Sequence, residues 1–132
     1  MGQKYLIDTC VIVKYLDNLP PPEATLFIDS LVDDDSKVSF ITQIELLVWN
    51  PPIPEDIKIR EEFLEGSEIH YINDEIIKGA IQIRKTTNIK LPDAVIAATA
   101  IHEEYILLST NDNDFVKVLP LGLKYLNPET AF

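Results

Sequence analysis

The chain of 132 residues has 46% apolar residues and a net charge of −11, from 22 acidic and 11 basic side chains. This length and composition are typical of one globular domain with a hydrophobic core, and they exclude a disordered chain. The acidic balance argues against nonspecific binding of nucleic acid, which normally needs a basic surface, and it agrees with a cation site or a basic protein partner.

Targeting and cysteine signals make the cytoplasm the expected location. The sequence contains no run of 18 or more apolar residues, so no membrane-spanning helix is predicted. The opening residues, MGQKYLID, lack the charged and apolar regions of a signal peptide. The single cysteine, Cys10, excludes an internal disulfide and fits a reducing compartment.

The first half of the chain alternates between predicted strands and helices. Three prolines end the first unit, and the last of them, Pro22, opens a helix that is expected to end at Val32. The aspartates at 33–35 are predicted to lie in a solvated polar turn. From apolar periodicity we predict strands at residues 5–8 and 37–41 and helices at residues 9–16, 22–32, 42–49 and 54–65.

The second half continues the alternation. Asn73 is a good N-cap for a helix that runs to about Thr86. The segment 91–102 is apolar nearly all round, which predicts a buried central helix. The other predicted elements are strands at residues 68–72, 105–109 and 124–126 and a single helical turn at residues 112–116.

Regular alternation of strands and helices predicts an α/β fold, with a mostly parallel sheet and helices on both of its faces. The chain shows no internal repeat or linker, so residues 1–132 are expected to form one domain. In such sheets ligands bind beyond the carboxyl ends of the strands. Acidic residues at these positions are therefore candidates for a site.

Five carboxylates stand beside apolar stretches that should be buried, where an unpaired charge is costly. Each has a structural explanation of its own, as a helix N-cap, a helix dipole partner or a turn residue. Glu45 also completes a T-x-x-E capping box with Thr42. Taken together, the acids favour a hard cation with oxygen ligands: Asp8, Glu45, Asp93, Asp112 and Asp114.

Other catalytic groups are poorly supported by the sequence. His70 and His102 lack the spacing of metal ligands. Cys10 has no pattern of His and Asn partners that would activate it as a nucleophile. No glycine-rich phosphate loop is present. Carboxylates that hold Mg²⁺ or Mn²⁺ can support phosphodiester hydrolysis without a nucleophilic side chain.

The order and spacing of four motifs resemble the PIN domain family, and above all the small VapC-type toxin ribonucleases. YLIDTCVIVKYL is similar to the opening strand with the first acid, and SFITQIELL to the helix with the second. LPDAVIAATAI resembles the helix that begins with the third acid, and LLSTNDNDF resembles a closing T-x-D-x-D-F signature. The resemblance extends over nearly the whole chain.

The resemblance implies a three-layer α/β/α sandwich with a mostly parallel central sheet. It implies metal-dependent endonucleolytic cleavage of RNA by water, with Asp114 as a fifth acid at the rim and with Thr9 and Thr110 supporting the carboxylates. It also implies a cognate antitoxin of a type II pair and a homodimer. The metal ligands for Mg²⁺ or Mn²⁺ would be Asp8, Glu45, Asp93 and Asp112.

Candidate phosphate contacts are the densest basic cluster, which precedes Asp93, and a lysine about two turns into the first helix: Arg84, Lys85, Lys90 and Lys14. Two alternatives to the ribonuclease remain open. One is a non-catalytic module of the same fold whose acidic cleft binds a basic protein. The other, a phosphotransfer domain built on Asp8, lacks the further acids that this chemistry needs.

Overall fold

A computed structural model describes residues 2–132, in which strands and helices alternate as predicted. The strands are Tyr5–Ile7 (β1), Lys37–Ser39 (β2), Glu68–His70 (β3), Ile106–Leu108 (β4) and Lys124–Leu126 (β5). The helices are Thr9–Leu16 (α1), Pro22–Asp35 (α2), Phe40–Leu47 (α3), Glu55–Glu65 (α4), Asp74–Thr86 (α5), Leu91–Glu103 (α6) and Asp112–Phe115 (α7), followed by a 3-10 helix, Val116–Leu121.

Every strand pairing in the described part of the chain is parallel. β4 lies between β1 and β5, and β2 pairs with β3. Because β1 also packs beside β2, the strands run in the order β3-β2-β1-β4-β5. The carboxyl ends of β1 and β4 therefore meet at the same edge, where the Asp8 N–H donates to the Leu108 carbonyl oxygen at 2.9 Å.

Two hydrophobic clusters cover the two faces of the strands, which makes the fold a three-layer α/β/α sandwich. Leu6 and Leu107 face one cluster, which α5 and α6 complete. Their neighbours Ile7 and Leu108 face the other, together with side chains from α1 to α4. Successive residues of a strand point to opposite faces of the sheet. Because both faces of β1 and β4 are buried, both sets of side chains in these strands are apolar. The predicted fold class is confirmed.

The largest helix pair, α5 and α6, is closely packed at a glycine. An added Cβ atom at Gly79 would lie 3.2 Å from the Ala98 Cβ atom, closer than ordinary van der Waals contact. The small residues of α6 thus permit a close approach that buries its whole middle section. None of the helices in residues 2–132 is long and apolar enough to cross a membrane.

Two of the predicted boundaries are wrong for an identifiable local reason, and one element was not predicted. The aspartates at 33–35 belong to the last helical turn of α2 and do not form a separate polar loop. A negative charge at the C-terminal end of a helix is unfavourable, and Lys37 compensates it by forming an ion pair with Asp35 at 2.5 Å. β2 ends at Ser39 because its hydroxyl caps α3, accepting from the Ile41 N–H at 3.1 Å. The 3-10 helix after Phe115 was not predicted.

Candidate functional site

Asp8 is a buried acid held at the carboxyl end of β1. Its side chain is 5% exposed and caps α1, accepting from the Thr9 N–H at 2.9 Å. The Ser109 hydroxyl donates to its second oxygen at 2.8 Å, and the Cys10 thiol lies 3.4 Å from that oxygen. Burial raises the pKa of Asp8 above its ordinary value, although these hydrogen bonds oppose the effect. The capping role and a place at the site are compatible.

Glu45 approaches the same region from α3, where its side chain is exposed. The Thr9 hydroxyl donates to the Glu45 Oε1 atom at 2.6 Å and also lies 2.9 Å from the Thr42 hydroxyl. Since Ser39 is the N-cap of α3, the capping-box explanation of Glu45 is wrong. Thr9 thus links the chain after β1 to the acid on α3.

Asp93 shows that these carboxylates lie close to one another. It stands in the first turn of α6 and is half-buried. Burial is the main cause that raises its pKa to about 6, and the negative charges of three further acids add to it: Asp8, Asp114 and Glu45. Lys90 opposes the shift only in part. Three acids from distant parts of the sequence therefore act electrostatically on Asp93.

The two aspartates of α7 have different surroundings. Asp114 acts on Asp93 and accepts from the Asn111 side-chain amide at 3.0 Å. Asp112 is exposed, and its Oδ1 atom accepts from the Tyr125 hydroxyl at 2.5 Å and from the Asn127 amide at 3.1 Å. Among the main causes that raise the pKa of Asp93 is the charge of Asp114. This influence and the hydrogen bonds of Asp112 associate Asp114 more closely than Asp112 with the other acids.

The donor set fits a hard divalent cation in chemistry, although the side chains do not form a ready cage. Among residues 2–132, no three histidine, cysteine or acidic side chains are gathered closely enough to hold a metal ion. The converging groups are carboxylates, whose oxygens suit Mg²⁺ or Mn²⁺. A divalent cation would offset both causes of the raised pKa of Asp93, which are burial and the added charges of Asp8, Asp114 and Glu45. Asp8, Glu45, Asp93 and Asp114 are the residues that could hold it.

The predicted phosphate contacts fall into two groups. Lys14, in the last turn of α1, lies 3.3 Å from the Thr110 hydroxyl, and Lys90 acts on Asp93. Arg84 instead donates to the Ile89 carbonyl oxygen at 2.7 Å and so anchors the loop before α6. Lys85 is exposed at the end of α5. Lys90 is thus the base that the structure brings to Asp93, and Lys14 is the base that it brings to Thr110, two residues before Asp112.

Three residues of the site escaped the sequence analysis. Ser109 is fully buried and bonds Asp8, Asn111 orients Asp114, and Tyr125 bonds Asp112. Burial and the bond to Asp112 raise the pKa of Tyr125 well above its ordinary range. Thr110, expected to support a carboxylate, donates to the Cys10 sulfur at 3.3 Å instead. The position of Ser109 directly after a buried strand was the available signal.

The raised pKa of Asp93 makes the metal-free fold sensitive to pH. The folded state holds this proton more tightly than the unfolded chain, so Asp93 stabilises the fold most below about pH 4 and loses that contribution as the pH rises through about 6. At pH 7 we expect Asp93→Asn to raise the free energy of unfolding by about 1 kcal/mol, after allowance for solvent screening.

Urea unfolding of both proteins in chelator, from pH 4 to pH 8, measures this difference. The gain from Asp93→Asn should shrink steadily as the pH falls toward about 4, where the wild-type carboxyl is protonated in the folded state and about half protonated in the unfolded chain. A variant that is less stable than wild type at pH 7 would contradict the mutual repulsion of the acids.

The fold and this acidic edge define an α/β/α protein with clustered carboxylates beyond its parallel strands. A family model described as PIN domain matches residues 5–119. The chain belongs to the PIN domain family, which confirms the prediction made from its four motifs. Comparison with curated protein sequences gave no match.

Several solved structures share this fold over almost their entire length. DNA-bound VapBC from Salmonella typhimurium is 20% identical with a TM-score of 0.80, covering 96% of this chain and 99% of that one. VapBC-1 from nontypeable Haemophilus influenzae is 21% identical with a TM-score of 0.79, covering 96% and 98%. FitAcB from Neisseria gonorrhoeae is 22% identical with a TM-score of 0.76, covering 94% and 97%. At these identities the similarity concerns the fold.

Proposed function

We propose that this protein is a metal-dependent endoribonuclease and the toxin of a type II toxin–antitoxin pair. One observation carries the proposal, namely that Asp93 is a half-buried carboxyl whose pKa is raised to about 6, first by burial and then by the charges of three other acids. Negative charges gathered in this way destabilise the fold when no positive charge balances them, and such groups are typical of binding and catalytic sites. A divalent cation is the ligand that carboxylate oxygens best accommodate.

The residues of the proposed site would have three roles, which are to bind the metal, to orient its ligands and to attract the RNA. Asp8, Glu45, Asp93 and Asp114 would hold Mg²⁺ or Mn²⁺, which when bound supplies the positive charge that phosphodiester hydrolysis requires. Ser109 keeps Asp8 oriented through its hydrogen bond, and Thr9 does the same for Glu45. Lys14 and Lys90 would attract phosphates of the RNA toward an otherwise repulsive surface.

Geometry leads us to exchange the roles that the sequence motif suggested for Asp112 and Asp114. The charge of Asp114 acts directly on Asp93. Asp112 has two hydrogen-bond donors of its own, Tyr125 and Asn127, which direct its Oδ1 atom toward the C-terminal segment. We therefore propose Asp114 as the fourth metal ligand and Asp112 as the acid at the rim.

The proposed partners come from the proteins that share the fold. Their structures are of VapBC and of FitAB, and one is described as a toxin-antitoxin complex from Klebsiella pneumoniae. A chain with a net charge of −11 would suit an antitoxin segment carrying basic residues. We propose such an antitoxin, a homodimer and a cytoplasmic location for this protein.

Removal of the metal provides the direct test. We expect the purified protein to cut single-stranded RNA with Mg²⁺ or Mn²⁺, and to lose this activity completely in excess chelator because no side chain replaces the cation. Cleavage is measured on labelled RNA fragments, and Asp93→Asn serves as the inactive variant, which should also fail to inhibit growth when expressed. Asp74→Asn, in the first turn of α5, is a matched control.

Two results would contradict the proposal in different ways. Cleavage that persists in chelator would exclude a metal-dependent reaction. A protein that binds a basic partner tightly but cuts no RNA under any metal condition would instead support the non-catalytic module, with the acids serving as a docking surface.

A further inference from the structure

Lys14, a cation beside the loop that follows β4, is paired with a carboxylate from the C-terminal segment. The Lys14 Nζ atom lies 3.1 Å from the Glu129 Oε2 atom and 3.3 Å from the Thr110 hydroxyl. Thr110 directly follows Ser109, whose hydroxyl bonds Asp8. The ammonium group of Lys14 thus stands beside the proposed site, although its charge is offset by an acid from more than a hundred residues later in the chain.

Glu129 reaches this position because the chain after β5 forms a defined turn. The Asn127 side-chain oxygen accepts from the Glu129 N–H at 2.9 Å, and the Asn127 carbonyl oxygen accepts from the N–H groups of Thr130 and Ala131 at 3.2 and 3.0 Å. Pro128 between them is buried. The Asn127 amide also donates to Asp112. The turn that presents Glu129 is therefore attached to the rim of the site.

We propose that Glu129 occupies, in the free protein, the position on Lys14 that an RNA phosphate takes when the substrate binds. This inference rests on the proposed function and adds a regulation of the same site. Carboxylate and phosphate oxygens are alternative anionic partners of an ammonium group. In the absence of RNA, Glu129 keeps the lysine paired, and the C-terminal turn thereby lowers the affinity of the site for RNA.

The exposure of the ion pair makes such an exchange feasible. The side chains of Lys14 and Glu129 are 36% and 35% exposed. Ion pairs in contact with water are weak, and their loss changes an equilibrium constant by a factor of only about 2 to 5. A phosphate can therefore displace Glu129 without disrupting the fold, and Lys14 is retained as a contact in both states.

Charge-neutral replacement of Glu129 tests the exchange. In an Asp93→Asn background, which leaves RNA intact, we expect Glu129→Gln to bind a fluorescein-labelled single-stranded RNA of mixed sequence about 3-fold more tightly at low salt with Mg²⁺. Fluorescence anisotropy measures the dissociation constant. The gain should disappear at about 0.5 M salt, where ionic interactions of exposed groups are screened.

A matched control separates this contact from a general effect of charge. Glu75→Gln in the same background removes the same charge and breaks a comparable ion pair with Lys78, at 3.5 Å on the exposed face of α5. We expect its affinity for RNA to equal that of the background. In addition, Glu129→Gln should have no effect once Lys14 is replaced by Gln, because no cation remains to be released.

Three outcomes would overturn the inference. These are an unchanged or weaker affinity in Glu129→Gln, an equal gain in Glu75→Gln, and a gain that persists without Lys14. Absence of any RNA binding by the Asp93→Asn protein would also overturn it. Failure of the proposed function is distinguished separately, because it would appear as an absence of RNA cleavage by the wild-type protein with Mg²⁺ or Mn²⁺.

Discussion

Asp114→Asn is expected to lower the rate of RNA cleavage by about 100-fold or more, whereas Asp112→Asn should lower it by about 10-fold. The two positions lie in the same helical turn, α7, and the substitutions are chemically identical. Of the two, Asp114 is among the main causes that raise the pKa of Asp93. The larger loss is therefore expected for the carboxylate that we propose as a metal ligand, and the smaller one for the acid that we propose at the rim.

Cleavage rates at saturating RNA, measured across a range of Mg²⁺ concentrations, would separate the two effects. Asp114→Asn should require far more metal, because a charged ligand is lost. Asp112→Asn should retain nearly normal metal dependence, since its carboxylate is bonded to Tyr125 and Asn127. The reverse order of losses would return Asp112 to the metal-binding set and assign Asp114 to the rim.

Phe115→Ala is expected to lower the free energy of unfolding by about 3–5 kcal/mol. Phe115 directly follows Asp114, is fully buried, and belongs to the cluster beneath α5 and α6. Its ring lies 6.0 Å from that of Tyr125. Truncation leaves a cavity that the surrounding side chains can only partly fill, so α7 and its acids lose their support as well.

Urea unfolding in chelator measures this loss without the contribution of a bound metal. The neighbouring Val116→Ala is a suitable control because Val116 is 52% exposed, and a change within about 0.5 kcal/mol is expected. A loss below about 1 kcal/mol for Phe115→Ala would show that the core tolerates this cavity, contrary to the packing described above.

Local sequence patterns were sufficient for most of the fold. Apolar runs such as Ile106–Leu108 predict strands buried on both faces, and the N-cap at Asn73 marks the start of α5 correctly. These signals depend on residues close together in the chain, which is why they can be read without a structure. The errors at Ser39 and at Asp33–Asp35 arose where a side chain caps or pairs with a helix end.

Sequence alone also identified the family and singled out the candidate acids, because the residue types, their order and the apolar stretches beside them are local properties. Tertiary structure decided which acids act together. It brought Asp114 to Asp93, turned Asp112 toward Tyr125, and removed the capping explanation for Glu45.

The pairing of Lys14 with Glu129 could likewise not be read from sequence, since the two residues belong to elements at opposite ends of the chain. Side-chain direction within a turn, and contact between distant segments, depend on packing across the sheet rather than on neighbours in sequence. For that reason, the composition and motifs determined the family and predicted the kind of site, and only the fold determined how the charges are arranged.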